Sequence, residues 1–128
     1  MNQVSKQQPS ELPVIDVQQL EVLEELSDEN ESIVDELTRM FRSTVPGLLA
    51  DLSSAITASD RDSVRRISHR LKGSAANIGA KRMAEECSLL EQRAKTNCGI
   101  IEVDCFAAIQ GHYAESELAL VSWLKNRS

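Results

Sequence analysis

The residue with the clearest chemical potential is a histidine on a predicted helix, followed within one turn by a lysine and a glycine. His69, Lys72 and Gly73 are spaced i, i+3 and i+4, so a helix places all three on one face. At about 100° per residue, His69 lies about 160° from the inward direction set by Leu71 and therefore faces solvent. Neutral imidazole is a nucleophile at physiological pH, and it can carry a phosphoryl group covalently.

The residues beside His69 suit a charged anion. Lys72 is placed to neutralise part of the charge of a phosphoryl group. Glycine in a helix interior costs roughly 1 kcal/mol relative to alanine, so Gly73 indicates either packing against another helix or a gap that admits a second protein. We favour the gap because Gly73 faces outward, and Ala76, one turn beyond Lys72, widens it.

A basic island surrounds the same histidine. Residues 64–84 contain no Asp or Glu, and the arginines nearest to His69 are Arg65, Arg66 and Arg70. In a chain with a formal net charge of -6, this local reversal of sign indicates either a solvated helix face or a surface that steers an acidic partner onto His69.

Composition argues against several other classes of function. The chain has 128 residues and is acidic overall, which suits one domain and disfavours nucleic-acid binding. It has no run of eighteen apolar residues and no signal-like segment in its first twenty, so we expect a cytoplasmic protein without a membrane span. Three cysteines without a CxxC pair, with the second histidine (His112) on another predicted helix, predict reduced thiols and no metal site.

The spacing of apolar residues predicts an all-α fold, an antiparallel up-down four-helix bundle with a short extra N-terminal helix. Residues 1–13 are predicted to form a flexible tail, and residues 14–128 the bundle domain. Pro46 is expected to kink the second helix without ending it, because the apolar spacing continues in phase beyond it. No long outward apolar stripe is evident, so we expect a monomer.

Polar residues mark the predicted helix ends. Asp16 and Gln19 suit a capping box for the short first helix, whereas Ser27 and Ser59 are expected to cap the next two. Gly79 ends the third helix. The expected inward positions of the second helix are Ile33, Leu37, Met40, Thr44, Leu48, Leu52 and Ala55.

The segment from His69 to Gly79 closely resembles the signature of bacterial histidine-containing phosphotransfer (HPt) domains, reading HRLKGSAANIG. The resemblance implies a four-helix bundle in which His69 is phosphorylated, Lys72 stabilises charge and Gly73 is the docking gap. It also implies that the partners are response-regulator receiver domains and hybrid sensor histidine kinases. The receiver then supplies Mg²⁺, so the protein needs no cofactor of its own.

Two residues on the next helix are candidates for supporting roles. Lys95 matches a position that is often basic in the family, so the resemblance implies that it helps to hold the phosphoryl group. Glu91, one turn earlier, is either a hydrogen-bond partner of His69 or a solvated carboxylate. Ser68 stands where the family usually has a small apolar residue, and we expect its hydroxyl to bond back to the helix.

Other functions remain open at this point. An ATP-using kinase is disfavoured, because no glycine-rich nucleotide loop is present and the chain is short. A phosphoacceptor module of a larger histidine kinase fits the same residues, and the donor, the acceptor and the net direction of flow are not determined. A non-catalytic helical interaction module, docking an acidic partner through its basic face, is the alternative; it would keep its activity in a His69→Gln variant.

Overall fold

The computed structural model describes residues 9–96 and 102–127, and within these ranges the chain forms five α-helices. They are α1 (Val17–Glu25), α2 (Ile33–Thr57), α3 (Arg61–Asn77), α4 (Lys81–Thr96) and α5 (Glu102–Asn126). Helices α2 to α5 form a closed ring in which each packs on the next and α5 returns to α2. Short connections make successive helices antiparallel, which confirms the predicted four-helix bundle with a short N-terminal helix. None of the helices in the described ranges combines the length and apolarity that a bilayer-spanning segment needs.

The segment before α1 packs on the bundle. Residues 9–11 form a 3-10 turn against α4, Pro9 is buried, and the Leu12 carbonyl accepts a hydrogen bond from Arg82 Nε at 2.6 Å. The tail predicted to reach Pro13 therefore overlaps a stretch that contacts α4, and its first eight residues lie outside the described ranges.

Helix α1 is fastened to the end of α3. Asp16 caps α1 as predicted, accepting from the Gln19 N–H at 3.2 Å. The Gln19 side chain does not complete the predicted capping box. Its amide instead donates to the carbonyls of Ala76 and Asn77, at 2.9 and 3.3 Å, because the last carbonyls of α3 lack partners within their own helix.

Helix α2 begins later than the sequence predicted. Its N-cap is Ser32, which accepts from the Asp35 N–H at 3.1 Å, and not Ser27. The Asp28 carboxylate holds the intervening residues in a turn, where helix cannot start, by accepting from two backbone N–H groups. Ser27 still accepts from the Ile33 N–H at 2.7 Å, so both serines serve the start of the same helix.

Helix α3 begins and ends on residues with special backbone roles. Its N-cap is Asp60, not the predicted Ser59, because Ser59 takes a left-handed conformation (φ 56°) in the turn after α2. Gly79 ends it as predicted, with φ 78° and the Ala80 N–H donating back to the Ala75 carbonyl at 2.9 Å. A Cβ on Gly79 would also lie 3.4 Å from the Asp16 carbonyl oxygen.

The core confirms the predicted inward positions Leu48, Leu52 and Ala55 of α2 and shifts the earlier ones by one residue. Phe41 is 3% exposed, whereas Met40, predicted inward, is 57% exposed. Thr38 is buried on the inward face of α2. Because Thr38 is polar, the spacing of apolar residues alone predicts the inward face of this part of α2 one position away. The chain continues helically through Pro46, as predicted. The buried positions of α2 are Val34, Thr38, Phe41, Val45, Leu48, Leu49, Leu52 and Ala55.

Candidate functional site

The imidazole of His69 stands on the outer face of α3. Its side chain is 65% exposed, whereas Leu71, two residues later, is fully buried. Ser68 is also buried, and its hydroxyl donates to the Val64 carbonyl at 2.6 Å, as the sequence predicted. The imidazole of His69 therefore faces solvent, whereas the side chains of Ser68 and Leu71 on either side of it face the core.

A carboxylate from α4 holds one nitrogen of this ring. Glu91 is only 6% exposed, and its Oε2 lies 3.0 Å from His69 Nδ1. Of the two alternatives for Glu91, the structure therefore shows the hydrogen-bond partner of His69 and not a solvated carboxylate. Because an ionised carboxylate only accepts hydrogen bonds, the neutral form of the ring carries its proton on Nδ1 and leaves the lone pair on Nε2.

Two lysines accompany this carboxylate. Lys72 Nζ lies 3.0 Å from Glu91 Oε1, and Lys95 Nζ lies 4.0 Å from Oε2. Burial raises the pKa of Glu91, but Lys72 and then His69 lower the pKa by more, so it falls below the ordinary carboxyl value. Glu91 is consequently ionised at neutral pH. The structure thus brings together four of the residues predicted for the site.

Gly73 faces open space. An ideal Cβ on it meets no atom of another helix and no side chain beyond its chain neighbours within 4 Å, so packing between helices does not explain the glycine. Gly47 is equally open, so openness alone does not identify a docking gap. Gly73 differs in lying beside Lys72 and Ala76 along a groove of about 740 Å³ between α1, α3 and α4.

The three predicted arginines differ in their environments. Arg65 and Arg66 lie one turn before His69 and both pair with Asp62, at 2.9 and 3.3 Å. Hydrogen bonds from Arg65 and then Arg66 hold the pKa of Asp62 below its usual value. Arg70, beside His69, is exposed and makes no ion pair with any residue in the described ranges. Of the three arginines named from the sequence, two are therefore tied to Asp62, and Arg70 is unpaired among the described residues.

The described part of the chain has no group of three or more His, Cys, Asp or Glu side chains that could hold a metal ion. Cys87 is fully buried, and burial raises the pKa of its thiol to about 12. Cys105 is buried as well, and Cys98 lies outside the described residues. The two described thiols therefore act as small core side chains.

Comparison with protein families gives a match over most of the bundle. Residues 36–119 match the model of the Hpt domain. A curated relative, "Pseudo histidine-containing phosphotransfer protein 2" of Oryza sativa subsp. japonica, is 38% identical over 84 residues. This match covers 63% of the present chain and 53% of the rice protein, so it spans about half of the relative's length.

Solved structures show the same fold. Histidine-containing phosphotransfer protein B from Pseudomonas aeruginosa superposes with a TM-score of 0.81 at 22% identity, covering 91% of this chain and 98% of that one. A histidine-containing phosphotransfer protein from Medicago truncatula gives 0.71 at 24% identity, with 90% and 85% covered. A rice protein named as a putative histidine-containing phosphotransfer protein superposes with a TM-score of 0.75 at 18% identity, covering 88% of this chain and 82% of that one.

Proposed function

Since this chain belongs to the Hpt domain family of histidine phosphotransfer proteins, we propose that it carries a phosphoryl group on Nε2 of His69. The observation that carries the proposal is the bond between Nδ1 and Glu91 at 3.0 Å. This contact supports the neutral tautomer whose lone pair is on Nε2, and the exposed ring can offer that lone pair to another protein.

The chemistry needs no proton to enter or leave the site. Nε2 attacks the phosphorus of an aspartyl phosphate, the N–P bond forms, and the P–O bond breaks to release the partner's carboxylate. The ring becomes an imidazolium. Its proton stays on Nδ1 and remains hydrogen-bonded to the Glu91 carboxylate. In the second transfer, an aspartate of the acceptor attacks the same phosphorus, the N–P bond breaks, and His69 leaves as neutral imidazole.

Lysine charge completes the site. Lys72, 35% exposed, can reach a phosphoryl oxygen while it remains close to Glu91, because an ammonium carries three donors. Lys95, one turn along α4 from Glu91, adds a second positive charge to the same carboxylate. We propose that Mg²⁺ comes from the partner's receiver domain, and that this protein is a carrier without a nucleotide site.

The shape and the positive charge of the surface around His69 indicate the kind of partner. Gly73 and Ala76 leave a gap beside the imidazole, into which the loops of a receiver domain can descend. The unpaired Arg70 favours an acidic pocket on the partner. We propose response-regulator receiver domains, either separate or within hybrid sensor histidine kinases, as donor and acceptor.

A non-catalytic interaction module is the second candidate function. The observation in its favour is that the curated rice relative is named a pseudo phosphotransfer protein. Against it stands the pairing of an exposed His69 with a buried carboxylate, which an adaptor does not need.

A His69→Gln variant distinguishes the two functions. We expect it to bind a phosphorylated receiver domain with Mg²⁺ as well as the wild type does, but to acquire no acid-labile, base-stable label. Asn126→Gln, an exposed polar change at the end of α5, is the matched control and should be labelled normally. Labelling of His69→Gln at the wild-type rate would refute the proposed carrier.

A further inference from the structure

The outward face of α5 carries apolar residues along most of its length. Its central stripe recurs every three or four residues and consists of Val103, Ala107, Gln110, Ala114, Leu118, Val121 and Lys125. Leu118 is 73% exposed and Val103 is 62% exposed. No charged residue occurs between Asp104 and Glu115. The expectation of a monomer assumed that no such stripe exists, and α5 has one because apolar residues occupy both of its faces.

The charges bordering this stripe are already paired within the molecule. Glu117 forms an ion pair with Arg42 at 2.9 Å. Glu115 lies 3.1 Å from His112 and 3.8 Å from Arg82. The carboxylates next to the stripe therefore do not prevent an apolar surface from approaching it.

The sizes of the side chains favour one arrangement of two such helices. Near the middle of the helix, the large Leu118 follows Ala114 by four residues, whereas the small Gly111 precedes it by three. A Cβ on Gly111 has nothing within 4 Å, so this position is an open depression. Antiparallel pairing centred between Ala114 and Glu115 places Leu118 of each helix opposite Gly111 of the other. Parallel pairing would oppose Leu118 to its own copy.

The charges at the two ends favour the same arrangement. Asp104 and Lys125 lie ten residues before and eleven residues after Ala114, and both are exposed. Neither forms an ion pair with another described residue. They are about 31 Å apart along one helix, so they cannot meet within a chain. In an antiparallel pair, each Asp104 faces the Lys125 of the other copy.

We propose that the outward face of α5 is a two-fold interface with a second copy of this chain. A single helix pair falls in the class of small interfaces, so the dimer is weak and depends on concentration. In the ring of helices, α3 stands diagonally opposite α5. His69 therefore stays accessible in the dimer, and the inference does not depend on the proposed transfer function.

Sedimentation equilibrium of the full chain, from low micromolar to millimolar concentration, tests the interface. We expect the wild type to dimerise and Leu118→Asp to weaken the dimer at least about tenfold, because the change buries an unpaired charge. Val22→Asp is the matched control, since Val22 is 55% exposed on α1, and it should dimerise like the wild type. Circular dichroism checks that each variant is folded.

A charge exchange tests the arrangement itself. We expect Asp104→Lys and Lys125→Asp each to weaken the dimer, and the double variant to restore it, because only contacts between copies can be rescued in this way. A wild type that stays monomeric at every concentration overturns the proposal. A double variant no tighter than the single ones overturns the antiparallel arrangement. Whether or not the chain dimerises, we expect Leu118→Asp to transfer the phosphoryl group at the wild-type rate.

Discussion

Replacing Gly73 by alanine should make the protein more stable, because the new methyl group enters open space. Alanine is about 1 kcal/mol more favourable than glycine in a helix interior, and the new Cβ would meet no other helix and no side chain beyond its chain neighbours within 4 Å. For a domain of this size, that gain raises the melting temperature by roughly 4 °C. Gly47→Ala, on the exposed face of α2, provides the matched control and should give the same increase.

The two glycines should differ in phosphoryl transfer. Gly73→Gln fills the gap beside His69, and displacing reacting groups by about 1 Å can cost about a hundredfold in rate. We expect transfer from a phosphorylated receiver to fall at least about tenfold in Gly73→Gln and to stay unchanged in Gly47→Gln, measured as phosphohistidine formed against time. Transfer by Gly73→Gln within about twofold of the wild type would refute the docking gap. A lower melting temperature for Gly73→Ala would refute the open geometry.

Three further predictions concern the charges around His69. Lys72→Ala should slow transfer about tenfold or more while Lys125→Ala does not, because Lys72 lies beside His69 and Lys125 lies at the far end of α5. Equal rates for the two variants in rapid-quench assays would remove Lys72 from the site. The ion pairs of Glu91 lower its pKa below the ordinary 4.5, so their stabilisation is complete above that pH and is lost as the pH falls through the lowered value. The melting temperature of the wild type should therefore exceed that of Glu91→Gln most at neutral pH, and a difference that does not shrink in acid would contradict this. Arg70→Gln should slow association with a receiver at low salt more than Arg66→Gln, whose guanidinium is already paired; identical salt dependences would argue against steering.

The four-helix bundle was predictable because amphipathic periodicity determines both the length of each helix and the side that it buries. The signal failed locally where one polar residue lies in a seam. In α2, Thr38 is 3% exposed and Met40 is 57% exposed, the reverse of what hydrophobicity alone suggests. Phe41, adjacent to Met40, indicates the correct position when the spacing is followed from Val45 and Leu52 backwards.

The helix starts were harder to predict, because several candidate caps stand close together. Ser27 and Ser32 both accept hydrogen bonds at the start of α2, and only the turn formed by Asp28 decides between them. Likewise, the left-handed backbone at Ser59 moves the cap of α3 to Asp60. Such choices depend on the backbone path between helices, which periodicity does not describe.

The candidate site was predictable along α3 and less so across to α4. Spacing on one helix brings His69, Lys72 and Gly73 together, and no tertiary information is needed. The contact between His69 and Glu91 depends on the register of α4 against α3. One signal was present in the sequence: Glu91 continues the spacing of Met83 and Cys87, so it points towards the core. A carboxylate at such a position needs a cationic or hydrogen-bonding partner.

The measurement that bears most directly on the central claim is the position of the phosphoryl group on the ring. Nitrogen-15 and phosphorus-31 NMR of the protein, phosphorylated by a receiver domain with Mg²⁺, distinguishes the two ring nitrogens of His69. We predict phosphorylation at Nε2, with the Nδ1 proton retained and hydrogen-bonded to Glu91. A phosphoryl group on Nδ1, or on a residue other than His69, would contradict the account.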